Sequence, residues 1–138
     1  MPTTSTRHRN RPGGERGSAT VELAILFPAL LLVVTALVQY GLWFHARSIA
    51  LAAAQEGVAA ARTYIAPFQD GPGAALGFVN QHGGDTLLNA TATLTTLGAG
   101  QVEIVVSGHA LSVIPGVGGA AVRQSAAGPV ERFTQAQP

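Results

Sequence analysis

The stretch Leu23–Phe44, LAILFPALLLVVTALVQYGLWF, decides how this chain folds. It holds no Asp, Glu, Lys, Arg or His, and its length is close to the ~20 helical residues that cross a hydrocarbon core of ~30 Å. A helix apolar on every side must be covered on every side, by protein or by lipid. The residues after Phe44 hold too little apolar mass to wrap it, which leaves lipid. The stretch therefore reads as one membrane-spanning helix, with the bilayer as its surroundings. Its weight shows in the whole composition: 138 residues are 47% apolar and only 11% charged, and mean hydropathy is +0.30.

The charges outside the run are polarised. All 8 basic residues are arginine, and Arg7, Arg9, Arg11 and Arg16 crowd before the apolar run, against Arg47 and Arg62 soon after it. Arginine close to a span is retained on the cytoplasmic side, so the N-terminus is expected inside and the bulk of the chain outside. Tyr40 and Trp43 suit an aromatic anchor at the outer interface, or ordinary packing. An arginine-rich tail also raises nucleic-acid binding, but neither interleaved aromatics nor a recognition helix follows it. A secretory signal peptide shares the basic start, yet its apolar core is only ~7–15 residues. The small residues Ala50 to Ala54 would be its cleavage zone. With no cysteine in the chain, disulfides and thiolate metal sites are excluded.

Before the run stands Arg16-Gly17-Ser18-Ala19-Thr20-Val21-Glu22, which carries a glutamate into the start of the membrane helix. An ionised carboxylate there costs a few kcal/mol unless it is paired or lies at headgroup depth. One account makes Glu22, with Ser18, an N-terminal capping element. The other starts from spacing: a basic leader, a glycine, four residues, a glutamate and a long apolar helix resemble the type IV prepilin processing site. Together with Pro28 inside the helix and Gln55-Glu56-Gly57-Val58-Ala59-Ala60-Ala61-Arg62 further on, RGSATVELAILFPALLLVV resembles the TadE-like family, minor pilins or pseudopilins of tight-adherence (Flp-type) pilus systems. The tail Pro129-Val130-Glu131-Arg132-Phe133 matches more loosely.

That resemblance implies a prepilin peptidase cutting after Gly17, which leaves Ser18 as the new N-terminus. A freed α-amine, protonated at neutral pH with a pKa near ~8, would pair with Glu22 of a neighbouring subunit and set register during assembly. It also implies other pilin-like subunits and inner-membrane pilus assembly proteins as partners. Serine at the first mature position, where major pilins carry phenylalanine, departs from their pattern and bears on N-methylation. Pro28 removes the hydrogen bond to the Ala24 carbonyl, so a kink or loosened turn is expected, either as a functional bend or as a tolerated membrane proline.

Beyond the membrane, alanine-rich HARSIALAAAQEGVAAARTYI continues the helix to Ile65, and Pro67 with Asp70-Gly71-Pro72-Gly73 reads as the turn that ends it. Ser48, Gln55 and Arg62 mark its polar face. Ala46, Ala50, Ala53, Gly57, Ala61 and Tyr64 lie roughly opposite, to dock either the chain's own sheet or neighbouring helices. A short second helix is expected at Ala74 to Asn80. Leu88–Thr95 and Gln101–Ser107, joined by Gly98-Ala99-Gly100, alternate as a hairpin, and a third strand is expected at Ala120 to Ala126 after the break Pro115–Gly119. The expected fold is α+β and pilin-like: a leader over 1–17, a transmembrane helix over 18–44, its extramembrane continuation over 45–66, and a small extracytoplasmic region of about three antiparallel strands over 67–138.

No catalytic chemistry is legible. The 7 carboxylates are scattered, and no acid–base pair can be nominated. His8, His45, His82 and His109 lack companions at ligand spacing, His82 and Asp85 being the nearest pair. Gly71, Gly73 and Gly77 lack the lysine of a phosphate loop, and Asn89-Ala90-Thr91 fits an ordinary strand better than a glycosylation acceptor. The reading is a structural, non-enzymatic protein without metal, cofactor, small-molecule substrate or nucleic acid, in the cell membrane or extracellular as part of a pilus. The alternatives are a membrane-tethered interaction module that is not cut at Gly17, and a secreted binding domain.

Overall fold

A computed structural model describes residues 15–62, 70–98 and 100–130. Its elements are α1 (Glu15–Arg62), α2 (Asp70–His82), β1 (Leu87–Leu97), β2 (Gln101–Ala110) and β3 (Ala121–Pro129). The strands form one antiparallel sheet in the order β1-β2-β3, so the α+β class read from the sequence holds. The chain divides into two compact units, Met1–Ala36 and Leu37–Pro138.

The described part of the first unit is helix α1 alone. Its large apolar side chains are exposed: from Val21 to Val34 they range from 47% at Val34 to 71% at Leu32. The helix continues unbroken through Pro28, so the proline costs the Ala24 carbonyl its partner without ending the element. Thr35 Oγ1 donates back to the Leu31 carbonyl at 2.8 Å, which hides its hydroxyl from an apolar surrounding.

In the second unit the rest of α1 becomes a core element. Ala46, Ala50, Ala53, Gly57 and Ala61 are buried while Ser48 and Gln55 stay exposed, as expected; Arg62, assigned to the polar face, is half-buried. The small face packs on the chain's own sheet, joining Ile104, Val106, Leu87 and Val122 in one apolar cluster. Tyr64, and the end of the expected helix at Ile65, lie outside the described residues.

The second helix is longer than expected. Asp70-Gly71-Pro72-Gly73, read as a turn, is instead the first turn of α2. Proline suits that turn because its missing N–H has no intrahelical acceptor there anyway. Gly71 is demanded by tertiary packing: a Cβ on it would lie 2.9 Å from the Gly57 carbonyl oxygen and 2.9 Å from Ala61 Cβ. A Cβ on Gly57 would in turn meet the Gly71 oxygen at 2.8 Å. These two glycines let the helices approach almost backbone to backbone.

The hairpin and the third strand form where expected, each running a few residues longer. One register shift, between Leu88 and Thr91, is a bulge centred on Asn89, whose φ of 52° is a left-handed conformation that asparagine tolerates. The extra residue moves Leu88 out of phase with Ala90, Ala92 and Leu94, so Leu88 is exposed and Leu87 is buried instead. Thr91, Thr93 and Thr95 all face outward.

Candidate functional site

Two places concentrate features that packing alone does not explain. The first is the head of α1. Helix α1 begins at Glu15, so the Gly17–Ser18 bond lies in its first turn. That turn opens most readily, because its N–H groups have no intrahelical acceptors and glycine favours the unfolded chain. Gly17 is exposed, and nothing lies within 4 Å of where its Cβ would be. Glu22 follows on an exposed surface between Val21 and Leu23, each 62% exposed. An acid is thus carried on a helix whose large exposed side chains are apolar, with Pro28 further along the same element.

The second place lies within the other unit. Gln39, an amide inside the apolar run, donates from Nε2 to the Leu111 carbonyl at 3.1 Å and accepts at Oε1 from the Val113 N–H at 3.0 Å. One turn on, Trp43 Nε1 donates to the Ala121 carbonyl at 3.4 Å. Arg47 lies over the Trp43 ring at 5.6 Å, and Tyr40 is 5.9 Å from it. Gln39 and Trp43 thereby hold both ends of the connection between β2 and β3. In the sequence that connection shows only as a glycine-rich break. The available signal was an amide in an otherwise apolar helix, together with the uncharged run Leu111–Val122.

The remaining polar groups are not gathered. Glu56 is on α1, Asp70 on α2, Asp85 in a turn and Glu103 on β2. His82 accounts for itself at the end of α2: its Nδ1 is 3.1 Å from the Phe78 carbonyl and its ring stacks on Phe78 at 4.3 Å. Among the described residues no three His, Cys, Asp or Glu side chains lie together as a metal site would need.

By fold, this is an α+β protein with one N-terminal helix long and apolar enough to cross a membrane, none of whose most apolar window is buried. Residues 17–59 match the family model described as TadE-like protein, the family that the RGSATVE start resembles. The matched segment opens at Gly17, includes Glu22 and Pro28, and reaches just past Gly57. No curated protein and no solved structure matches the chain. The TadE-like segment and the apolar helix fit a membrane-anchored protein associated with the tight-adherence pilus.

Proposed function

We propose that this protein is a minor pilin or pseudopilin of tight-adherence pilus assembly, held in the membrane by α1 and cut by a prepilin peptidase between Gly17 and Ser18. The observation that carries the reading is the coincidence at the head of α1. A glycine in a turn that opens easily, and a glutamate five residues later, begin the segment that matches the TadE-like family. After cutting, the new ammonium group at Ser18 neutralises Glu22 of a neighbouring pilin-like subunit, which removes the cost of a carboxylate in lipid and fixes the register of the two chains. The arginine-rich leader keeps the N-terminus in the cytoplasm and the sheet on the far side. The role is structural and not enzymatic; its partners are the peptidase, other pilin-like subunits and inner-membrane assembly proteins.

Mass spectrometry of the N-terminus of the protein from native membranes tests this. A start at Ser18 is expected. An uncut chain would favour a tethered interaction module, and a start near Ala50 would favour a secreted domain. The fold weighs against the last, since cutting there would remove Ala46 and Ile49 from the core along with the Gln39 and Trp43 contacts.

A further inference from the structure

The connection between β2 and β3 has the build of a segment meant for lipid. It exposes Leu111 (39%), Val113 (43%), Ile114 (41%) and Val117 (54%), and no Asp, Glu, Lys or Arg occurs between Glu103 and Arg123. Irregular backbone is costly at membrane depth because its N–H groups lack water. Within residues 111–117 four of the six N–H groups are provided for. The Ala110 N–H donates to Ala120 at 2.9 Å and that of Leu111 to Thr86 at 3.1 Å. Val113 donates to Gln39 and Ile114 to Ser112 Oγ at 3.2 Å. At the tip, Pro115 has no N–H and Val117 donates to the Ile114 carbonyl at 3.2 Å, across Gly116 with φ of 76°. This is a closed proline–glycine turn with its aliphatic side chains outward.

Its level along α1 follows from two contacts. Trp43 meets Ala121, and a Cβ on Gly128 would touch Val58, so β3 runs alongside α1 in the same direction. The rise over those helix residues is about 22 Å and over those strand residues about 23 Å, so the two keep step. The connection that precedes β3 therefore reaches past Trp43 to Gln39, which grips it. Position 39 is about 7 Å inside the end of the apolar run at 1.5 Å per residue. That matches the ~5–10 Å to which interfacial apolar segments sink. Leu37, Val38 and Tyr40, on the helix beside Gln39, are themselves 66%, 48% and 63% exposed. Trp43 and Arg47 follow, as an aromatic and a cation do at headgroup level.

We infer that residues 111–117 form a second membrane contact: an apolar loop immersed in the outer leaflet beside α1, tied at its depth by Gln39. The inference rests on α1 being a membrane helix. Because the chain has no cysteine, single spin labels can be placed on the full chain at Leu31→Cys, Ile114→Cys and Thr93→Cys, and the protein reconstituted in phosphatidylethanolamine–phosphatidylglycerol vesicles. Collision with oxygen, which partitions into lipid, is compared with collision with a water-soluble nickel chelate, and unchanged Trp43 fluorescence establishes that each variant is folded. The oxygen-to-nickel ratio at 114 is expected to exceed that at 93 several-fold and to stay below that at 31, which lies about 12 Å deeper along the helix. A ratio at 114 like that at 93, with 31 in lipid, overturns the loop contact and leaves the anchor standing. A water-like ratio at 31 overturns both. Shielding of 114 from both reagents means a protein neighbour, such as a second copy, and also overturns the inference.

Discussion

Replacing Gly57 by alanine sets two effects of opposite sign against each other, and the structure decides which wins. In an open helix, alanine is favoured over glycine by ~1 kcal/mol. At position 57 the added methyl would lie 2.8 Å from the Gly71 carbonyl oxygen and 3.0 Å from both Ala75 Cβ and Ile104 Cγ2. The first two of these atoms cannot turn aside: one is backbone, and the other is a Cβ fixed to its helix. Relief therefore requires α2 to move off α1, an overpacking cost toward the upper part of ~1–3 kcal/mol. After the helix gain is subtracted, about 2 kcal/mol of stability is lost, which for a unit of this size lowers Tm by roughly 10 °C. The assay is thermal unfolding of the full chain in detergent, followed by fluorescence of Trp43, the single tryptophan. Gly77→Ala supplies the opposite case, because nothing lies within 4 Å of its Cβ position; it should gain about 0.5–1 kcal/mol. A Gly57→Ala protein as stable as the parent would refute the argument that these two helices meet through bare backbone.

Asn89→Val should cost ~1–2 kcal/mol, because a β-branched residue resists the left-handed conformation at the bulge, whereas Asn89→Gly should be close to neutral; equal melting temperatures for the two would remove the bulge as a source of constraint. Glu22→Ala should insert into membranes at least as well as the parent, since a charge is taken out of lipid, yet it should fail to assemble; normal pilus formation by this variant would count against the pairing of Glu22 with a cut N-terminus.

The long helix was legible because a charge-free run of membrane length needs no tertiary information. The same holds for the hairpin, where alanine and leucine alternate with threonine along β1 and only glycine-containing residues intervene before β2. What escaped was information held between elements. Asp70-Gly71-Pro72-Gly73 carries every local mark of a turn; only the crossing with Gly57 gives those glycines a reason to be helical. Leu88 appeared to belong to the inner face because a period of two cannot foresee an extra residue, and Asn89 signals the bulge only through its φ. No role was expected of Gln39 within the charge-free run. Its meaning depends on the level at which β3 runs beside α1, which no local pattern encodes. For the candidate processing site the position is reversed: Gly17, Ser18 and Glu22 form a pattern in the sequence, and the fold adds only that Gly17 is exposed and that the bond lies in the first turn of α1.

The change of side-chain size along α1 argues for two different surroundings. From Val21 to Val38 the large exposed side chains are leucine, isoleucine, valine and phenylalanine, whereas from Ala46 to Ala61 the buried face is almost entirely alanine and glycine, with Ile49 and Val58 as the larger members. Lipid chains fill any shape, so large side chains gain apolar contact there without needing a matched partner. A sheet is a fixed surface, and a helix that docks on it by small side chains can bring its backbone close. Had both parts faced protein, the large residues would need a complementary surface, and the chain has no spare apolar mass to make one. The change falls between Gln39 and Ala46, where Tyr40, Trp43 and Arg47 stand and where the apolar loop is fastened. The aromatic residues, the tethered loop and the change in side-chain size thus mark one boundary, where an anchor built for lipid becomes a helix built for a sheet.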